Sequence, residues 1–210
     1  AGASGPGPAA VVNTSARPAP GVAGGRFAAR PRELVNPDDR TMVLLYFDLA
    51  GLKPPLDEWV DNDMRVRVAV PIDKAARREL VRAELTAGLA AVRDVGRLRV
   101  SIGDAGLSDY DPSYGEFTLR ALAPASELSF STLGQKVVTR FENGLTAQLW
   151  KVPAAQAQAV RDRIARRVVS LDVGLTITDV QPGPGGGAIV TRIEAYELRA
   201  PDGSTLARVP

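Results

Sequence analysis

The regular alternation of apolar and polar residues is the feature that most limits the fold of this chain. In residues 171–178, Leu171, Val173, Leu175 and Ile177 are separated by small or polar residues. A period of two is typical of a strand that buries one face. The same reasoning predicts strands at residues 64–70, 98–102, 117–122, 128–132, 137–142, 146–152, 189–198 and 205–209.

Helical spacing is rarer in the sequence. Apolar residues recur at helical intervals from Ile72 to Val92, and again from Ala157 to Val168 in a segment that Pro153 opens. Residues 41–49 are apolar but fit a buried strand or one helical face equally well. Asn143-Gly144, between two predicted strands, indicates a β-hairpin. Few helices among hairpin-linked strands predict an α+β fold with a largely antiparallel sheet and two main helices.

Residues 1–32 differ in composition from the rest of the chain. They are rich in Gly, Pro and Ala and contain few large apolar side chains, too few to offset the entropy of ordering the backbone. We therefore predict a disordered, flexible N-terminal tail at residues 1–32 and a single α+β domain at residues 33–210. The tail is either a spacer or an arm that lies along a partner, with Phe27, Arg30 and Arg32 as the partner-binding anchors.

The chain contains neither cysteine nor histidine, which excludes several chemistries. Disulfides, thiolate zinc sites, cysteine nucleophiles and iron–sulfur clusters all need cysteine. The usual serine and cysteine hydrolase centres need a histidine base. Oxygen-ligated ions such as Ca²⁺ and Mg²⁺ are the metals that remain, and we predict no cofactor.

The distribution of charge bears on partners. Four arginines precede the first acidic residue, Glu33, so the remaining 22 basic residues nearly balance the 24 acidic ones. A near-neutral body predicts no nucleic-acid interface. Since no apolar run reaches the roughly 18 residues that a membrane helix needs, we predict no transmembrane segment.

The first residues bear on location. The sequence begins with the small residues Ala-Gly-Ala, followed by a Pro-rich stretch. Such residues are typical of the chain left after a signal peptide is removed, and they predict an exported, periplasmic protein. The alternative is a cytoplasmic protein whose sequence has been trimmed.

One acidic loop is a candidate metal site. Residues 104–116 contain Asp109, Asp111 and Glu116, whose carboxylates could supply oxygen ligands to Ca²⁺ or Mg²⁺. The spacing departs from the twelve-residue calcium loop, because Pro112 intrudes and no Asp or Asn occupies the fifth position. The alternative is a solvated loop whose Asp, Pro and Gly residues form turns.

Several features occur together between residues 59 and 209. The segment from Glu58 to Asp63 leads into a predicted strand and helix, Tyr110-Asp111 follows, and a late helix precedes the strand at residues 171–175. In these features the chain resembles a bacterial family of exported proteins of unassigned function. The resemblance implies export and supplies no catalytic residue.

The combined expectation is a non-enzymatic exported domain that binds a protein or envelope partner. It depends on the missing catalytic side chains and on the tail. The alternative is a carboxylate-based hydrolase that acts through the loop at residues 104–116 with a Ca²⁺ or Mg²⁺ ion.

Overall fold

A computed structural model describes residues 25–210, which form an α+β fold around a mixed seven-stranded sheet. The strands are β1 (Arg32–Val35), β2 (Val95–Ile102), β3 (Glu116–Thr118), β4 (Glu127–Thr132), β5 (Gln135–Phe141), β6 (Leu149–Lys151), β7 (Ser170–Gly183), β8 (Gly186–Arg199) and β9 (Thr205–Val209). The α-helices are α1 (Asp39–Ala50), α2 (Leu56–Asn62), α3 (Met64–Arg67), α4 (Pro71–Ala91), α5 (Gly144–Ala147) and α6 (Ala154–Ile164).

The sheet is built on the long hairpin of β7 and β8. Its strand order is β1-β2-β7-β8-β5-β4, and β9 also pairs with β8. Four of these pairings are antiparallel, but β1 lies parallel to β2 and β5 lies parallel to β8. The prediction of an α+β fold is confirmed, whereas the largely antiparallel sheet is confirmed only in part.

The ambiguous segment at residues 41–49 is helical and forms most of α1. Asp38 caps its first turn by accepting a hydrogen bond from the Thr41 amide at 2.7 Å, and Gly51 ends it with φ 64°. Met42, Leu44 and their neighbours are almost fully buried against β4, β5, β7 and β8. The prediction of two main helices therefore omitted the helix that is most completely buried.

The predicted strand at residues 64–70 is wrong. Residues 64–67 form the helical turn α3, because the Asp63 carboxylate caps it by accepting from the Arg65 amide at 2.9 Å. Only Val66 is buried there, at 1 % exposure. The segment then turns directly into α4, whose first residue is Pro71.

The predicted hairpin at Asn143-Gly144 is also wrong. The Asn143 side chain bonds the backbone N–H and C=O of Ile193, each at 2.9 Å, and so takes the place of a strand at the edge of β8. Gly144 begins α5, and β6 pairs with β3 in a separate two-stranded sheet. The tight hairpin of this region joins β4 to β5, where Leu133 and Gly134 have φ of 54° and 71°.

The part of the predicted tail from Phe27 onward packs against the domain. Its ring is 5 % exposed and belongs to the core. Arg30 forms an ion pair with Asp48 of α1 at 2.6 Å, and β1 begins at Arg32. Residues 25–32 are thus bound to the domain, while most of the predicted tail lies outside the described residues.

Candidate functional site

The loop carboxylates predicted as metal ligands serve as turn and ion-pair groups. Asp111 accepts hydrogen bonds from the amides of Ser113 at 2.8 Å and Tyr114 at 3.4 Å. Glu116 forms an ion pair with Lys151, and Asp109 is exposed.

The geometry does not gather acids into an ion site. Between residues 25 and 210, no group of three or more Asp or Glu side chains is placed to hold a metal ion. Ion binding by Asp109, Asp111 and Glu116 gains no support from this arrangement and stays a prediction.

The predicted partner anchors contact the chain itself. The Phe27 ring is buried and lies under the Arg30 guanidinium, 5.3 Å from the ring centroid. Arg32 donates to the backbone oxygen of Arg93 at 3.4 Å. These contacts attach the first described residues to the domain, and the geometry gives no support to their role as anchors for a partner.

One face of the sheet carries a chain of paired charges. Ser101 donates to Asp172 at 2.6 Å, Arg199 pairs with Asp172 at 2.7 Å, and Glu197 pairs with both Arg199 and Arg208. The hydrogen bond from Ser101, followed by the one from Arg199, lowers the pKa of Asp172. Because its members satisfy one another, this network has a structural role on the solvent side of the sheet.

A groove of about 1330 Å³ is lined by parts of β7 and β8. Its walls include Gly25, Thr178 and Arg192, and Glu142 pairs with Arg192 at 2.9 Å and accepts from the Thr178 hydroxyl at 2.9 Å. Glu142 and Arg192 therefore neutralise each other in the wall of the groove. The wall includes Gly25, the first described residue, and the groove identifies no ligand.

The exposed large apolar side chains of the described residues are most concentrated between α3 and α4. Met64, Val68, Val70 and Ile72 are 65 %, 70 %, 56 % and 88 % exposed. We name these four residues the α3–α4 patch. Elsewhere in the described chain, exposed large apolar residues are spread through the sequence, as at Val35 and Leu145. Single exposed apolar residues are ordinary, whereas a contiguous group marks an interaction site.

The local fold explains why the α3–α4 patch faces outward. Met64 and Val68 are four residues apart and share one side of the helical turn, while Val66 points into the core. Val70 is extended, with φ −64° and ψ 151°, and leads into Pro71 at the start of α4. These backbone conformations set the patch on the outer surface of the turn.

The first part of α4, which contains Ile72, projects away from the core. The helix is 21 residues long, yet its buried residues are Val81 and Leu85. Ile72 lies nine residues before Val81, a rotation of about 180° around the helix axis. Because the whole first part of α4, residues 71–77, is exposed, Ile72 stands on a projecting helix end.

The charges around the patch are unevenly paired. Arg65 is held by Asp63 at 3.1 Å and by Glu84 at 2.7 Å, and these contacts lower the pKa of both carboxyls. Arg78 and Arg82, further along α4, pair with Asp61 and Asp57, each at 2.5 Å. The acids of α2 and its C-terminal end therefore neutralise those arginines.

Three cations close to the patch in sequence form no ion pair with any described residue: Arg67, Lys74 and Arg77. They flank the α3–α4 patch in sequence, and the only acid among residues 64–78 is Asp73. Glu79 follows directly after this range and adds a negative charge on α4.

Comparisons with protein-family models, curated proteins and solved structures gave no match. The resemblance to a family of exported proteins therefore stays a prediction. None of the helices at residues 25–210 is long and apolar enough to cross a membrane.

Proposed function

We propose that this chain is a non-enzymatic domain that binds a partner through the α3–α4 patch. The observation that carries the proposal is the exposure of four neighbouring large apolar side chains, with Ile72 at 88 %. Leaving such side chains in water costs free energy that burial against a partner recovers. An exported, periplasmic location, expected from the sequence, is part of the proposal, and cell fractionation tests it.

Two further observations support binding over catalysis. The chain has neither imidazole nor thiol side chains, which are the commonest general bases and nucleophiles at neutral pH. Of the carboxylates that the hydrolase alternative requires, Asp111 is bonded within a turn and Glu116 is paired with Lys151. No specific observation favours the hydrolase.

The missing cysteines allow a direct test of whether a partner covers the patch. Ile72→Cys places one thiol in the patch, and Leu145→Cys places one at a distant residue that is 68 % exposed. Maleimide labelling is timed in intact cells and in dilute purified protein. Because labelling requires a free thiol, a partner present at ten times its Kd slows it about tenfold.

We expect slower labelling in cells at position 72 and unchanged labelling at position 145. Equal rates at position 72 in cells and in purified protein would overturn the proposal. So would slow labelling at position 72 in the dilute purified protein, since the chain itself would then cover the patch. Circular dichroism of both variants checks that each retains the fold.

A further inference from the structure

We infer that Asn143-Gly144 is a deamidation site, which the fold protects while α5 is closed and exposes when α5 opens. An asparagine followed by glycine is especially prone to this reaction, because glycine has no side chain to hinder attack by its own nitrogen. Asn143-Gly144 is the one such pair in the sequence. The inference concerns a spontaneous covalent modification and is independent of the proposed function.

The reaction needs only the chain and water. The Gly144 nitrogen attacks the side-chain carbon Cγ of Asn143, the bond from Cγ to Nδ2 breaks, and ammonia leaves with the proton of the Gly144 nitrogen. Water then opens the resulting succinimide ring at either of its carbonyl groups, which gives aspartate or isoaspartate at position 143. No group is oxidised or reduced.

The backbone of Asn143 is set against ring closure. In a succinimide the Gly144 nitrogen and the Asn143 Cβ lie on the same side of the bond between Cα and C. At the observed ψ of 19° they are far apart around that bond. The Asn143 carbonyl accepts from the amides of Thr146 and Ala147 at 3.2 and 3.0 Å, which holds this conformation as the first turn of α5.

The side chain of Asn143 is bonded as well. Its Nδ2 donates to the Ile193 carbonyl and its Oδ1 accepts from the Ile193 amide, each at 2.9 Å. Turning Cγ toward the Gly144 nitrogen would break both bonds. Ring closure therefore requires the side chain to leave β8 and the first turn of α5 to open.

The fold requires the labile pair at this place. A Cβ built on Gly144 would lie 2.6 Å from the Leu122 carbonyl oxygen and 3.0 Å from the Ala123 carbonyl carbon, so a larger residue would displace packed backbone. At position 143 an amide side chain supplies both the donor and the acceptor that Ile193 needs. The same contacts that select Asn and Gly also keep them from reacting.

Deamidation would prevent the segment from closing again. An ionised carboxylate accepts hydrogen bonds but cannot donate one, so at position 143 it would lose the bond to the Ile193 carbonyl and repel that oxygen. Isoaspartate would also add a methylene group to the backbone. Each chain that reacts while open therefore loses the attachment of α5 to β8.

Mass spectrometry of the full chain tests the inference. Purified protein is kept at mildly alkaline pH in buffer and in concentrated urea, and peptide mapping follows the replacement of NH2 by OH at Asn143. We expect deamidation about 100-fold slower in buffer than in urea, since each of the two side-chain bonds contributes about tenfold to closure. Equal rates, or no deamidation in urea, would overturn the inference.

Two matched variants test whether opening of α5 controls the rate. Thr146→Val removes the hydroxyl that donates to the Asn143 carbonyl at 3.1 Å, so the rate in buffer should rise about threefold while the rate in urea is unchanged. Thr205→Val removes a hydroxyl that donates to Glu197 at 2.9 Å and should change neither rate. Equal acceleration by both variants would show that general unfolding, not α5, exposes the site.

Asn143→Asp reproduces the aspartate product. It should lower the urea midpoint at pH 7, and its difference from the parent should narrow at acidic pH, where a protonated carboxyl can donate to the Ile193 carbonyl again. An unchanged midpoint at pH 7 would refute the loss of attachment after deamidation.

Discussion

Replacing Gly186 with alanine should destabilise the fold strongly, because this residue lies where β5 meets β8. Gly186 has φ 146°, and an added Cβ would overlap the backbone carbonyl of Lys136 in β5. Holding alanine at such a φ costs about 1–3 kcal/mol, and displacing packed backbone adds about 1–3 kcal/mol. We therefore expect a loss of about 4 kcal/mol in the free energy of unfolding.

The assay compares this variant with a neighbouring glycine. Gly185→Ala also has a positive φ, 68°, but nothing lies within 4 Å of the added Cβ, so its cost is about 1 kcal/mol. In a domain of this size 1 kcal/mol corresponds to about 2–4 °C in Tm. Thermal unfolding should thus separate the two variants by about 6–12 °C. Equal shifts would show that β5 does not approach Gly186 and would refute the parallel β5–β8 pairing.

Three other changes give further tests. Asn143→Ala should lower the free energy of unfolding in urea by about 2–3 kcal/mol, because it leaves the N–H and C=O of Ile193 without their partners. The lowered pKa of Asp172 stabilises the fold above the carboxyl's unfolded pKa, and this contribution is lost as the pH falls through the folded value. Asp172→Asn should therefore be less stable than the parent at pH 7 and lose less of its urea midpoint between pH 7 and pH 3. Millimolar Ca²⁺ should leave Tm unchanged in both the parent and Asp111→Asn, whereas a rise in the parent alone would support the metal site.

The local sequence pattern was sufficient to predict the strands that bury one face. The alternation at residues 171–178 predicted β7, and Leu171, Val173 and Ile177 are buried as expected. Residues 189–198 and 205–209 likewise form β8 and β9. In these strands the side-chain period is set by the backbone itself, so the sequence shows it directly.

Long-range pairing could not be predicted from local pattern. The parallel alignment of β5 with β8 joins Val138 to Ala188 across many intervening residues, and neither segment differs in pattern from one in an antiparallel pair. The hairpin prediction at Asn143-Gly144 was wrong for a related reason. The two residues have the composition of a tight turn, but the Asn143 side chain bonds a distant strand instead.

The sequence signal for the surface that we propose as a binding site was present, but it led to a wrong prediction of secondary structure. Alternating apolar and basic residues at 64–70 suggested a strand with its apolar side buried. In the folded chain Met64 and Val68 lie on the outer side of a helical turn, and the neighbouring Arg67 remains unpaired. Conflicts between local sequence pattern and tertiary structure are expected at functional sites, where residues are retained for reasons other than stability. Burying this surface against a partner would resolve the conflict, because it would give the apolar side chains an apolar environment.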